Sequence, residues 1–100
     1  MPATGLPDTS GAAALRRLLD LARGDSGQCR SVANFLLAWW NAADCGGWDL
    51  AELWTVDRAV RDDMLLVAAF VAANQEYPAS YGLGAEFEAL VAWWRPNMAG

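Results

Sequence analysis

The chain has 100 residues, 55% hydrophobic and 19% charged, which is enough for one domain and too few for two. Twelve acids stand against seven arginines, a formal charge of −5, and there is no lysine, isoleucine or histidine. The missing histidine removes the commonest general base and zinc ligand, and the acidic balance argues against a dedicated nucleic-acid binder, which needs surplus Lys and Arg.

Residues 1–10 carry neither a basic segment nor an apolar one of signal-peptide type and read as a flexible lead-in. Ser10 is placed to cap a helix from Ala12 to Arg23, where Leu15, Leu18, Leu19 and Ala22 form one stripe and Gly24 supplies the stop. Asp25 and Gln28 have capping-box spacing and open a second helix that runs through Ala43 to Gly46-Gly47. Its stripe is Cys29, Val32, Ala33, Leu36 and Trp40, widened by Leu37.

Asp49 and Glu52 have the same spacing and open a short turn from Leu50 to Trp54. Thr55 or Asp57 then caps a long helix to about Gln75, with Val56, Val60, Met64, Val67 and Val71 in register. Tyr77-Pro78 breaks it, Tyr81 to Gly84 forms a loop, and a last helix covers Ala85 to Arg95 before Pro96. No run alternates with period two, so no strand is predicted. The expected fold class is all-α: a compact four-helix domain over residues 11–96 with one short extra helical turn and no sheet, ending in a tail of residues 97–100. The second and fourth elements are apolar nearly all round and are expected to be central.

Little here points to catalysis. A nucleophile would need activation without His or Lys, and Asp62 and Asp63 point about 100° apart on a helix, so they make no carboxylate pair by themselves. Cys29 and Cys45 have no CxxC spacing and no histidine partner, which excludes a familiar metal motif and leaves structural roles for both. No cofactor is expected. The longest apolar run, Met64 to Ala73, is half of the roughly 20 residues a membrane-crossing helix requires, so a cytoplasmic protein is expected.

Charge and tryptophan are distributed unevenly. Asp44, Asp49, Glu52, Asp57, Asp62 and Asp63 face only Arg58 and Arg61 in their segment, which holds −4 of the total −5. Internal pairing of Asp57 with Arg61 and of Arg58 with Asp62 is one account of it. The other is an acidic face that docks on a basic surface. Six tryptophans include the adjacent pairs Trp39-Trp40 and Trp93-Trp94, of which Trp40 and Trp94 are expected to be the buried members. The candidate contact surface is Asp49, Glu52, Trp54, Asp57, Asp62 and Asp63, with Trp54 as its anchor.

Asp25-Ser26-Gly27-Gln28, the run Phe35 to Ala42, Cys45 to Leu50, Leu53 to Ala59, Tyr77-Pro78 and Tyr81 to Gly84 together resemble a family of small uncharacterised proteins of proteobacterial mobile elements, over about residues 12 to 96. That resemblance implies no reaction and carries no functional residues. In size, acidity and helical content the chain is also similar to helical anti-CRISPR inhibitors of the type I-F surveillance complex. That similarity implies a non-enzymatic inhibitor, acting in a bacterial host cell, which occupies a basic surface that target DNA must use. The alternative is an accessory interaction module of a mobile element, docking through apolar helix faces, with either a monomer or a homodimer expected.

Overall fold

The computed structural model describes residues 6–99. Among them α1 spans Ser10–Leu21, α2 Gly27–Cys45, α3 Arg58–Asn74, α4 Gly84–Trp94 and the short α5 Pro96–Ala99. Two 3₁₀ turns, Leu50–Thr55 and Pro78–Tyr81, join α2 to α3 and α3 to α4, and no strand occurs among the described residues. The all-α expectation holds, with the extra turn where it was placed.

Side-chain hydroxyls cap α1 and α2, and three helix starts differ from the sequence reading. Thr9, rather than Ser10, caps α1 by accepting the Ala12 amide at 3.2 Å. Ser26 caps α2 by accepting the Cys29 amide. Gln28 is thereby released from the expected box with Asp25, and its side chain crosses to the Asp57 backbone amide and carboxylate. Asp57 does stand at the N-cap position of α3, but its side chain makes no capping bond there. Residues 1–5 of the expected lead-in lie outside the described residues, while Leu6 already packs against the core.

Inside α2, Asn41 leaves helical geometry (φ −167°, ψ 82°), and its side chain caps a new final turn by accepting the Asp44 amide. The helix then ends at Gly46, whose φ of +99° is open to glycine and strained for other residues. Pro96 ends α4 as expected. It also begins α5, because proline suits the first position of a helix as well as it obstructs the interior.

The core draws most of its buried residues from α1 and α2, and α1 also packs along α3. Ala12, Ala14, Leu15, Leu18, Leu19 and Ala22 from α1 meet Val32, Ala33, Leu36 and Leu37 from α2, all buried. Helix α3 lies along α1 and buries only Met64, Val67 and Phe70, and α4 buries only Phe87 and Leu90. The second element is therefore central, whereas neither α3 nor α4 is: each lays one edge on the α1–α2 pair and turns apolar residues outward.

The tryptophans fasten the periphery. Trp39 and Trp40 are both half-buried and share Phe87, Trp39 edge-on at 5.8 Å and Trp40 stacked at 5.5 Å. Trp39 also donates to the Glu76 carbonyl. Trp93 and Trp94 donate to the Gly24 and Ala22 carbonyls, which ties the end of α4 to the turn after α1. Trp93 stays 57% exposed and Trp94 is half-buried, so burial separates the second pair and not the first.

A candidate protein-docking ledge

The Leu50–Thr55 turn forms a ledge on the side of α2. Asp49 starts it by accepting the Ala51 amide at 2.9 Å. Glu52 does not close the expected capping box, because its carboxylate accepts from the Asn34 side chain on α2 at 3.3 Å. Asn34 in turn accepts from the Arg95 guanidinium at 2.7 Å, and Arg95 donates to the Cys45 carbonyl at 3.0 Å. Thr55 donates to the Glu52 carbonyl and meets Ser31 of α2 at 3.2 Å. One polar lacing thus holds the ledge, the middle and end of α2, and the end of α4.

Leu53 and Val56 pack inward from the ledge, while Leu50 and Trp54 point out, 67% and 83% exposed. Trp54 is the most exposed large hydrophobic residue of the described chain. Asp49 and Asp57 flank it as exposed carboxylates that make no ion pair among the described residues.

The structure divides the six residues singled out from the sequence. Asp49, Glu52, Trp54 and Asp57 belong to the ledge or its exit. Asp62 is exposed one turn into α3. Asp63 turns the other way, toward α1, where Arg17 grips both its oxygens at 2.9 Å. Beside that carboxylate the Arg17 guanidinium is raised above its ordinary pKa, first by the hydrogen bond and then by the charge. Asp63 is therefore engaged within the fold. The anticipated pairs Asp57–Arg61 and Arg58–Asp62 do not form; the ion pairs among the described residues are Arg17–Asp63 and the long Arg23–Asp20 contact.

A second feature was not anticipated. An apolar cleft of about 350 Å³ opens between α2 and α3, with Phe35, Trp39 and Trp48 on one wall and Val67, Val71 and Ala72 on the other. Phe35 and Trp48 meet edge to face at 4.8 Å, and the buried Trp48 Nε1 has no hydrogen-bond partner among the described residues. Val67 and Val71 were read from the sequence as part of the apolar register of α3, which gives no sign that they also line a cleft.

No group of three Cys, Asp or Glu residues among the described ones converges closely enough to hold a metal ion. Burial pushes the Cys45 thiol upward, and that dominates the opposing pull of Arg95, so it is a poor nucleophile at neutral pH. No described helix is long and apolar enough to cross a membrane.

A family model matches residues 12–95. The chain belongs to that family of unknown function, DUF7673. The family match takes in α2, the ledge, α3 and α4 whole and begins two residues into α1, so the laced ledge lies inside the family's own span. No curated protein and no solved structure matches the chain.

Proposed function

We propose that this DUF7673 member is a non-enzymatic binding protein whose ledge docks on a basic surface of a protein complex and so competes there with nucleic acid. The observation that carries the reading is Trp54, an 83% exposed tryptophan on a turn held by side-chain bonds on both sides. Exposing such a ring in a pre-ordered segment is unfavourable for a free monomer and favourable for an anchor, because its ordering cost is met before binding. Asp49 and Asp57 beside it would pair with Lys or Arg of the partner, giving register and association rate. Asp62 would extend the contact along α3, whereas Asp63 contributes little, since Arg17 already holds it.

The geometry bears on the chemistry of the partner: an apolar seat for Trp54 within a cationic rim. The type I-F surveillance complex is the first partner to test, and only the resemblance in size, acidity and helical content singles it out. Size-exclusion co-elution with the purified complex, followed by a target-DNA gel shift, tests it. Co-elution and loss of the shifted band are expected, with Trp54→Ala reducing binding by about 30-fold or more and the Asp49→Arg, Asp57→Arg double variant abolishing it. Absence of co-elution, or equal binding by these variants and by Arg16→Ala, would sink the reading.

A further inference from the structure

The cleft between α2 and α3 takes no part in the ledge. Phe35, Trp39 and Trp48 wall one side, Val67, Val71 and Ala72 the other, and no charged residue lines it. Its volume of about 350 Å³ falls at the lower end of small-molecule sites, roughly 300–1,000 Å³. One residue of the wall carries an unbalanced polar atom. Among the described residues, Trp48 Nε1 is the one buried side-chain nitrogen or oxygen without a hydrogen-bond partner. Trp39, Trp93 and Trp94 each give their indole hydrogen to a backbone carbonyl. Solvent does not reach Trp48 Nε1 either, so the group has lost its hydration and gained nothing in exchange.

The geometry points to a binding site for a small, flat, uncharged ligand that carries a hydrogen-bond acceptor. Three aromatic rings on one wall favour a planar ring system, which stacks on them or meets them edge-on. A charged ligand is disfavoured, because the lining offers no counter-charge to replace its water. The acceptor, a carbonyl or a ring nitrogen, takes the Trp48 Nε1 hydrogen. Trp48 lies on the connection between α2 and the Leu50–Thr55 turn, outside both, and follows Gly46 and Gly47. Its ring can therefore turn toward a guest without breaking a helix.

An apolar side chain of a protein partner would fill the same walls but leave the indole nitrogen unpaired. The acceptor is thus the requirement that selects a small molecule over such a side chain. Leu50 and Trp54 do not line the cleft, so the inference stands apart from the docking of the ledge.

Two probes test the proposal: coumarin, a neutral two-ring molecule with a carbonyl acceptor, and indole, a two-ring molecule with none. Nitrogen–proton correlation NMR of the full chain follows the tryptophan side-chain N–H signals, of which the Trp48 signal is the one missing from Trp48→Phe. Coumarin should shift that signal saturably, with a dissociation constant of roughly 0.1–1 mM as suits so small a ligand, and leave the Trp54 signal in place. Read from the Trp39 signal, Trp48→Phe should weaken coumarin by about 3- to 10-fold, one neutral hydrogen bond, and leave the affinity for indole unchanged. Ala72→Leu, at an exposed position of α3 where leucine keeps good helix propensity, should narrow the cleft and remove the coumarin shift with an unchanged circular dichroism spectrum. A Trp48 signal that coumarin leaves unmoved overturns the proposal. So does coumarin affinity untouched by Trp48→Phe or by Ala72→Leu, or a Trp54 signal that shifts as much as that of Trp48. Trp54→Ala should bind coumarin like wild type, which separates a failure here from a failure of the ledge.

Discussion

Gly11 marks the closest approach of α1 to α3. A methyl group there would lie 2.6 Å from Phe70 Cβ, closer than carbon atoms can sit. Two effects oppose each other in Gly11→Ala: helix propensity favours alanine by about 1 kcal/mol, while forcing extra volume into a packed contact costs about 1–3 kcal/mol. Because Phe70 is a core residue with little room to yield, the steric term should win, and thermal unfolding should show a lower Tm. A raised Tm would mean that α1 and α3 are not so close. At Phe87, fully buried between Trp39 and Trp40, truncation to alanine should cost more, about 3–5 kcal/mol in urea unfolding, since it opens a cavity beneath both rings.

Two buried acids give a direction to the pH dependence. The Cys45 thiol is raised above 9.0 chiefly by burial, and the Tyr81 hydroxyl above 10.0 by burial and then by Glu76. In the alkaline range the native state therefore binds more protons than the unfolded chain, so stability must fall as pH rises. The contribution is intact below the ordinary pKa values and is lost on titrating through the raised ones. Tm measured from pH 7 to about pH 11, a span that passes both unperturbed values, should drop on the alkaline side, and Cys45→Ala should make the first part of that drop shallower. A flat profile would place these side chains in water.

At the scale of elements, the ledge depends on Asn34, which accepts from Arg95 and donates to Glu52. Asn34→Ala would leave a half-buried guanidinium short of an acceptor and free the ledge on one side. The expected loss is about 1–3 kcal/mol of stability, with faster amide exchange across residues 50–55, whereas Asp62→Ala should lie within about 0.5 kcal/mol of wild type. Equal effects would show the lacing to be incidental.

The elements themselves were readable in the sequence because their signals are local. The Leu15, Leu18, Leu19, Ala22 stripe gives α1, Pro78 and Pro96 give two boundaries, and Asp49 starts the ledge as expected. What was not readable depends on residues distant in sequence. Gln28 serves Asp57 rather than its own helix start, and Glu52 leaves its capping box for Asn34 on α2. Asp63 answers to Arg17, forty-six positions away, which removes it from an acidic face drawn on sequence spacing alone. Apolar periodicity did identify the covered side of α3, since Met64 and Val67 are buried and Val56, Val60 and Val71 pack against the core, but it did not show that Leu65 and Leu66 would stay exposed.

At the scale of the whole molecule, one core shared by the four long helices leaves exposed groups that fall into two surfaces of different character. The ledge is rigid, aromatic and acid-flanked, so its binding should weaken as salt rises. The α3 face is apolar, with Leu65 and Leu66 exposed and no charged residue between Asp63 and Glu76. The measurement that tests the central claim most directly is co-elution of the wild-type chain and Trp54→Ala with purified type I-F surveillance complex at low and high salt. The account predicts a salt-sensitive complex with the wild-type chain and one weakened by about 30-fold or more with Trp54→Ala. No complex with the wild-type chain, or an equal one with the variant, would contradict it.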